Sequence, residues 1–246
     1  MDFIEKSYKE MIYYEIPFFN ENKNVKTIFT SRIGFNKGNI LNNLALLFDE
    51  PENKIVFSNQ VHGNNISIIK DINFYNETEK PKGVDGLLTD KKNIVLVTVH
   101  GDCVPLFFFD KKRKIIGLAH AGWRGTLSDI GGKMISLMKR EFGSELSDII
   151  VGIGPSIGPC CYEVGEEIYE SFVGKHLFLI ECFERKEGKY HLNLWRSNEL
   201  LILRAGILKQ NIVNSCLCTS CHNDRFYSYR KERTMERMAA GIKLMG

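Results

Sequence analysis

Short apolar runs recur along the chain and predict β-strands. Each run spans four to six residues, an ordinary strand length in a globular protein. The predicted strands are Lys54–Phe57, Ile66–Ile69, Ile94–Val99, Pro105–Phe109, Lys114–Ala119, Ile149–Ile153, Leu177–Ile180 and Ile212–Cys216. No helical pattern interrupts the segment from Ile94 to Ala119, so it favours antiparallel or mixed pairing over a strand–helix–strand repeat.

Helical periodicity appears in three later segments, which are Lys133–Phe142, Glu166–Val173 and Arg196–Ala205. The first and last of these are followed by Gly143 and Gly206, a common signal for the end of a helix. No repeat, low-complexity tract or linker-like stretch divides the chain. We therefore predict an α/β protein of the α+β type, with a single domain that covers residues 1–246.

Glycine-rich polar clusters follow several predicted strands. Small glycines beside His, Cys, Asp and Arg at strand ends are typical of a binding site on a rigid scaffold, because the backbone can approach a ligand there. The clusters are Asn59–Gly63, Gly101–Cys103, His120–Gly125 and Gly152–Pro159.

Three side chains in these clusters are candidate metal ligands, namely His62, Cys103 and His120. Their wide separation excludes a zinc-finger knuckle, whose paired ligands lie about two to four residues apart. They can share an ion only if the sheet brings the strand ends together. One thiolate and two imidazoles would then leave a fourth tetrahedral position open, as in a catalytic zinc site. The competing interpretation is ordinary packing of a cysteine and two histidines.

A second group of candidate ligands lies near the C-terminus, where Cys216, Cys218, Cys221 and His222 cluster. Cys218 and Cys221 have the C-x-x-C spacing of a local metal site. No second pair of that type is evident, and the adjacent Cys160 and Cys161 have an unusual spacing for two ligands of one ion. Reduced cysteines that pack in the fold are the favoured interpretation, with a structural zinc as the alternative.

Cys103 and His120 are also candidates for a thiolate–imidazole nucleophile. Asp102 is adjacent to Cys103, but neighbours on a strand point to opposite faces, so the pattern does not assign it as the orienting group. No phosphate-binding P-loop is present, and Arg32 and Arg124 in glycine-flanked loops are the candidate phosphate ligands. A surface ion pair is the competing role of each arginine.

Composition narrows the possible partners and the compartment. The 33 basic and 30 acidic residues are interspersed and give a formal charge of +3, which argues against a nucleic-acid or membrane partner. The N-terminal segment has no secretory-signal pattern, and no apolar run approaches the roughly 20 residues of a membrane helix. Seven cysteines without an export signal favour reduced thiols. We expect a cytoplasmic protein.

Seven motifs occur in the order of a known family. The chain resembles the YfiH-like laccase-domain family, often labelled multicopper polyphenol oxidase and also described as purine nucleoside phosphorylase. The resemblance runs from about residue 27 to the C-terminus, and its longest motifs, H-A-G-W-R-G and G-P-x-I-G-P-C-C-Y-E-V-G, are specific. The matching segments are Thr30–Gly34, Gln60–Gly63, Asp85–Thr89, Gly101–Pro105, His120–Gly125, Gly154–Gly165 and Phe226–Arg230.

The resemblance implies mixed β-sheets sandwiched by helices, and zinc bound by His62, Cys103 and His120. It also implies phosphorolysis of adenosine, inosine, guanosine or methylthioadenosine, with adenosine deamination as a second activity. The partners would be a purine nucleoside and phosphate, and a monomer is expected. For these reactions we predict that Asp102 and Gln60 handle protons or contact the substrate. We also predict that substrate or phosphate is bound by Arg32, Arg124 and Asn43.

The chain departs from the family at two motifs. His100 and Gly101 stand where the family usually has Thr-Ala before Asp-Cys, so His100 is a candidate spare donor near the metal. The closing motif, usually Thr-Gly-Arg-Met-Ala-Ala, has one extra residue in Thr234–Ala240. The family's C-terminal Cys-Thr-x-Cys stretch also accounts for Cys218 and Cys221, which weakens the case for a separate structural zinc.

The oxidase label can be compared with the histidine content. A multicopper oxidase needs a blue-copper site and a histidine-rich trinuclear cluster, whereas this chain has six histidines and no His-x-His pair. A full copper array therefore does not fit in one chain, although copper can compete for the Cys/His site and support a weak oxidase activity. Two more functions stay open from the sequence, a metal-free Cys/His hydrolase and a non-catalytic zinc-stabilised binding module.

Overall fold

Two six-stranded mixed β-sheets lie at the centre of the structure, a computed structural model that describes residues 3–19, 24–71 and 81–245. The strands are Ile4–Tyr8 (β1), Met11–Glu15 (β2), Val25–Thr30 (β3), Ile55–Phe57 (β4), Ile66–Ile68 (β5), Gly86–Thr89 (β6), Val95–His100 (β7), Val104–Asp110 (β8), Ile115–Ala121 (β9), Ile149–Ile153 (β10), Glu163–Val164 (β11), Phe183–Lys186 (β12), Lys189–Leu192 (β13), Ile212–Asn214 (β14) and Met238–Leu244 (β15). The first sheet has the order β1-β2-β3-β15-β7-β4 and the second β14-β10-β8-β9-β6-β5, while β11, β13 and β12 form a small third sheet.

Helices cover the outer faces of the two large sheets. They are Ile40–Phe48 (α1), Trp123–Leu127 (α2), Ile130–Phe142 (α3), Glu166–Lys175 (α4), Leu194–Arg204 (α5) and Tyr229–Glu232 (α6). Helix α1 packs on the outer face of the first sheet, and α3 and α5 pack on that of the second, while α4 packs against α2 and the segment Leu177–Cys182. A separate apolar core, with Phe29, Phe107 and Ile242 among its members, fills the space between the sheets. The predicted mixed sheets sandwiched by helices are therefore confirmed.

Helix α3 shows how local sequence produces these elements. The Asp129 side chain accepts a hydrogen bond from the Gly132 amide at the start of the helix, and Gly143 ends it with a φ of 67°. Met134 and Met138, four residues apart, lie on the buried face against the second sheet. All three predicted helices are present, with ends that differ by up to three residues.

The strand predicted at Leu177–Ile180 is wrong. Residues Leu177–Cys182 form a 3₁₀ helix, in which Leu179 and Cys182 are buried while Leu177 and Ile180 are exposed. Burial three residues apart matches the period of that helix, whereas a strand would alternate with a period of two. The other seven predicted strands all overlap strands of the two large sheets.

No helix in the described parts of the chain combines the length and apolar character that a membrane crossing requires.

Candidate metal centre

The fold gathers His62, Cys103 and His120 at one end of the central sheets. His120 lies on β9, Cys103 in the turn between β7 and β8, and His62 in the loop that follows β4. Strands β8 and β9 pair antiparallel with Val104 opposite Ala121, so the turn that carries Cys103 lies beside the end of β9. One ligand atom from each of the three side chains lies within 4.8 Å of the other two.

Asp85, directly before β6, contacts the side chain of His120 and the backbone of His62. Its Oδ1 lies 2.9 Å from Nδ1 of His120, which leaves Nε2 of that ring for a metal. The same fully buried carboxylate accepts hydrogen bonds from the backbone amides of Val61, His62 and Gly63 at 3.2, 2.9 and 2.8 Å. A carboxylate behind a ligating histidine fixes the ring and its tautomer, as is common around zinc.

The electrostatics of this group follow from burial and close opposite charges. Burial alone would raise the pKa of Asp85, but hydrogen bonds from His120 and from the Gly63 and Val61 amides hold it below its usual value. Burial also opposes ionisation of Cys103, yet the adjacent His120 and His62 lower the pKa of the thiol to about 6. In the same pair, burial would lower the pKa of His120, while the Cys103 thiolate and Asp85 raise it to about 9.

Backbone geometry allows these side chains to approach. His62 and Asp102 have φ angles of 62° and 93°, a region that non-glycine residues rarely occupy and that is common at functional sites. Gly122 is needed for a different reason. A Cβ there would lie 3.0 Å from Sγ of Cys103 and 3.4 Å from Cδ2 of His62. The glycine of the H-A-G-W-R-G motif therefore leaves space for two of the three candidate ligands.

Two cavities share His62 and Cys103 in their walls. The larger has a volume of about 450 Å³, in the size range of small-molecule sites, and is also lined by Gln60, Val99, Gly101, His120, Tyr229, Met235 and Arg237. The smaller has about 50 Å³, enough for water or a small group, and its remaining walls are Asp102, Gly122, Trp123, Arg124, Ile157, Tyr162 and Leu194. The candidate ligands therefore face space in which a fourth ligand can bind.

The donor set fits zinc. Two imidazole nitrogens and one thiolate sulfur are ordinary zinc ligands, the Asp85 carboxylate supports His120, and the adjoining cavities provide room for a non-protein ligand. This arrangement corresponds to a catalytic rather than a closed structural site.

Asp102 and Gln60, predicted for proton handling and substrate contact, have their polar atoms engaged by the protein. The Asp102 carboxylate accepts hydrogen bonds from Oγ1 of Thr219 at 2.7 Å and from the Arg230 amide at 2.6 Å. The Gln60 amide pairs with both backbone groups of Val99, each at 2.8 Å. Both side chains line a cavity at the centre, where they hold adjoining segments in place.

The predicted phosphate ligands occupy different places. Arg124 is exposed, stacks 4.3 Å from the centre of the Trp123 ring and lines the smaller cavity. Arg32 instead donates to Glu232 at 2.8 Å and to the Asn223 carbonyl, and Asn43 donates to the Gly34 carbonyl at 2.8 Å. Neither Arg32 nor Asn43 is a wall residue of the two cavities. Their roles in substrate binding stay predictions.

His100 is not a spare metal donor. Its Nδ1 lies 3.0 Å from the Cys103 carbonyl and its Nε2 lies 2.7 Å from Oγ1 of Thr98, so both ring nitrogens have partners. Burial, followed by the charge of His120, lowers the pKa of His100 well below its usual value. A neutral imidazole therefore links the end of β7 to the Cys103 turn.

Sequence reasoning did not single out Asp85, Tyr229 or Arg237 as site residues. Asp85 and Tyr229 stand in motifs that carried the family resemblance, and Arg237 in the altered closing motif, but nothing in the spacing connects them to the metal ligands. Arg237 lies so close to Gly101 that a Cβ at this glycine would be 2.8 Å from its Cδ, and both residues line the larger cavity. In the sequence, Gly101 and Arg237 are far apart. The only sign of their contact is that both stand where the chain departs from the usual family motifs.

Comparison with known proteins connects this geometry to a family. Residues 30–245 match the family described as multi-copper polyphenol oxidoreductase laccase. The chain belongs to this family. It is 36% identical over 220 residues to the purine nucleoside phosphorylase YlmD of Geobacillus stearothermophilus, covering 85% of this chain and 80% of that protein. It is 31% identical over 194 residues to the adenosine deaminase RL5 of an unknown prokaryotic organism, covering 76% and 74% of the two chains.

A solved structure shares the fold over nearly the whole chain. The hypothetical protein YfiH of Bacillus licheniformis superposes with a TM-score of 0.87 at 31% identity, covering 98% of each chain. The family resemblance inferred from the motifs is therefore confirmed. The relatives named as a phosphorylase and a deaminase indicate that the chain is an enzyme.

Proposed function

We propose that this protein is a zinc-dependent purine nucleoside phosphorylase that also deaminates adenosine. The proposed nucleosides are adenosine, inosine, guanosine and methylthioadenosine, with inorganic phosphate as the second substrate. The observation that carries the proposal is the convergence of His62, Cys103 and His120 beside a cavity of about 450 Å³. Relatives named for both activities support it.

The larger cavity has the chemistry to receive a purine nucleoside. Tyr229 and Met235 line it and are 44% and 73% exposed, so they offer apolar contact area to a planar base. Arg237 lines the same cavity and its Nη1 is held by the carbonyls of Thr234 and Glu236, both at 2.8 Å. A cation in a fixed position suits an anionic group such as phosphate. We propose that the base lies toward Tyr229 and Met235 and the phosphate toward Arg237.

The metal and the protein residues have separate tasks in this proposal. Zinc, when bound, supplies a Lewis acid that polarises an oxygen of phosphate or water. His62, Cys103 and His120 hold it, and Asp85 keeps the His120 ring in the orientation that presents Nε2. We propose positioning roles for Asp102 and Gln60, because hydrogen bonds occupy their polar atoms, and phosphate contact for Arg124 from the smaller cavity.

One observation favours a second candidate function, a metal-free cysteine hydrolase. Cys103 has a thiol pKa of about 6 beside His120, and Asp85 orients that histidine, which reproduces the nucleophile–base–carboxylate order of cysteine hydrolases. Alkylation of Cys103 before and after chelation separates the two functions. A zinc ligand is protected until the metal is removed, whereas a free nucleophile reacts at the same rate in both conditions.

A copper polyphenol oxidase is the third candidate function, and it follows from the family label. Copper competes with zinc for nitrogen and sulfur ligands, so the same three residues can bind it. Metal analysis of the purified protein, together with oxidase assays after loading with each metal, tests this candidate.

The deciding experiment is a chromatographic assay of the purified protein with a panel of nucleosides, with and without phosphate. Phosphorolysis releases free base only when phosphate is present, and deamination converts adenosine to inosine in its absence. Release of neither product by the zinc-loaded protein would reject the proposed function and leave a non-catalytic zinc-binding module.

We also propose that residues 1–246 form one catalytic domain and that the protein acts as a cytoplasmic monomer without a nucleic-acid or membrane partner. The interspersed charges support the absence of a nucleic-acid partner. Size-exclusion chromatography with light scattering tests the monomer, and fractionation of the source cells tests the compartment.

A further inference from the structure

Four cysteines that are far apart in the sequence meet on another part of the structure. They are Cys160 and Cys161, in the turn between β10 and β11, and Cys218 and Cys221, in the loop between β14 and α6. One sulfur from each lies within 4.8 Å of the other three. The adjacent pair Cys160 and Cys161, whose spacing is unusual for two ligands of one ion, therefore lies beside the C-x-x-C pair in the structure.

We propose that these residues, here called the four-cysteine cluster, bind a structural zinc ion distinct from the candidate centre at His62, Cys103 and His120. The site goes beyond the proposed function, because none of its ligands belongs to the three-ligand group or lines either cavity there. Its donor set is that of closed zinc sites, in which four thiolates fill the tetrahedron and no position is left for substrate.

The sulfur positions match one ion better than one disulfide. Sγ of Cys221 lies 3.4 Å from that of Cys160 and 3.5 Å from that of Cys161. Zn–S bonds of about 2.3 Å in a tetrahedron place the sulfurs about 3.8 Å apart, close to these distances. A disulfide would use two of the sulfurs and leave the convergence of the other two unexplained.

Local backbone structure lets adjacent cysteines act together. The amides of Cys161 and Tyr162 both donate to the Gly158 carbonyl at 3.0 Å, so the chain turns tightly at this point. The Gly158 amide in turn lies 3.2 Å from Sγ of Cys218 and donates a hydrogen bond to it. Amide donors of this kind stabilise negative charge on a ligating sulfur, and Cys218 is the buried member of the group.

The cluster joins two loops that reach the candidate catalytic centre. Ser156 and Cys218 form an isolated parallel β-bridge beside it. From the first loop, the Ile157 amide donates to the Asp102 carbonyl at 2.9 Å, and from the second, Oγ1 of Thr219 donates to its carboxylate at 2.7 Å. Asp102 directly precedes Cys103. A zinc ion in the four-cysteine cluster would therefore stabilise the two loops that hold the turn carrying Cys103. Zinc binding would take up the four sulfurs as thiolates and release their protons to solvent.

The test is a count of zinc per chain in protein purified under reducing, chelator-free conditions. Wild type is expected to hold two zinc ions and the variant Cys103→Ala one, because this variant keeps all four cysteines of the cluster. The double variant Cys218→Ser/Cys221→Ser is expected to lose the other ion, with a lower melting temperature. Cys216→Ser, a change at an exposed cysteine outside the cluster, is the matched control and should retain both ions.

Substitution with cobalt adds a spectroscopic measurement. Cobalt-loaded Cys103→Ala should show the absorption of a tetrahedral four-thiolate site. If Cys103→Ala is free of metal and its cluster cysteines react with an alkylating reagent in the native state, the proposal is overturned. A mass two hydrogens below that of the reduced, metal-free chain would also overturn it, in favour of a disulfide. Both results come from Cys103→Ala, so they stand even where the double variant fails to fold, and neither depends on nucleoside turnover.

Discussion

The two cysteine-containing groups of this protein differ in what surrounds them. His62, Cys103 and His120 are three ligands that adjoin two cavities, with a buried carboxylate behind one imidazole. The four-cysteine cluster has a complete set of four sulfurs in two surface loops and shares no residue with those cavities. The comparison shows that ligand number and adjoining space, rather than the presence of cysteine, separate a candidate catalytic site from a structural one.

The largest expected effect is the loss of the three-ligand group through Cys103→Ala. Removal of the thiolate leaves two imidazoles, so we expect zinc binding at this centre, phosphorolysis and deamination to disappear together. Turnover assays and metal analysis of the same preparation check this, with Cys216→Ser as the active control. Full turnover by Cys103→Ala with no metal at the three-ligand group would contradict the zinc-dependent function.

A smaller effect is expected from Asp85→Asn. The amide cannot support the His120 ring as a carboxylate does, and loss of such a partner typically weakens metal binding by about 10- to 100-fold. Competition with a chromophoric chelator measures the affinity of this centre, and the four-cysteine cluster should be unaffected. Asp90→Asn, at a carboxylate that is 41% exposed and paired with Lys91, is the matched control. Equal affinities of the two variants would show that Asp85 does not act through the metal.

Gly122→Ala tests the space that the ligands need. A Cβ at this position lies 3.0 Å from Sγ of Cys103, and the strain of overpacking by about 1–2 kcal/mol corresponds to roughly 5- to 30-fold weaker zinc binding. Gly174→Ala is the control, because a Cβ there meets no atom within 4 Å and alanine favours a helix. Isothermal titration calorimetry with zinc compares the affinities of the two variants. Unchanged binding in Gly122→Ala would mean that the loop moves aside without cost.

The smallest effect is expected from Tyr229→Ala. If Tyr229 stacks on the base, its loss removes about 1 kcal/mol and raises KM for nucleosides by about 5-fold, with zinc content unchanged. Tyr8→Ala is the matched control. Tyr8 lies on β1, remote in sequence from the site, and its side chain is 43% exposed, compared with 44% for Tyr229. Steady-state kinetics of both variants separate substrate contact from a general surface effect. If Tyr229→Ala and Tyr8→Ala have the same KM for nucleosides, the base does not stack on Tyr229.

Prediction of the fold succeeded for the long apolar runs of the second sheet, whereas β1, β2, β3, β6 and the small third sheet were not predicted. Strands β8 and β9 are continuous apolar runs because both faces of the second sheet are covered, one by the first sheet and the other by helices. Strand β15, at the centre of the first sheet, was missed because it includes Ala239, Ala240 and Gly241, whose small side chains carry little β signal. Its position depends on neighbours more than 100 residues away, as in its pairing with Phe29.

Prediction of the candidate sites had a different limit. The residue types of His62, Cys103 and His120 suggested zinc, and the family motifs selected these three from among other histidines and cysteines. Their convergence required the β8–β9 pairing and the carboxylate of Asp85, which no spacing rule supplies. For the four-cysteine cluster, the sequence favoured packing cysteines over a zinc site, because Cys160 and Cys161 are adjacent. The spacing gives no indication that a turn and a distant loop bring both residues to Cys221.

The sequence by itself determined the class of protein, seven of the predicted strands, the three predicted helices, the family and the donor atoms available for metals, since these depend on local periodicity and on residue type. Only the tertiary structure decided which donors share a site, which site adjoins a cavity, and that His100, Gln60 and Asp102 have their polar atoms engaged by the protein. The physical reason is that ligation and hydrogen bonding act over about 2–3 Å, a scale set by the packing of segments that are remote from one another along the chain.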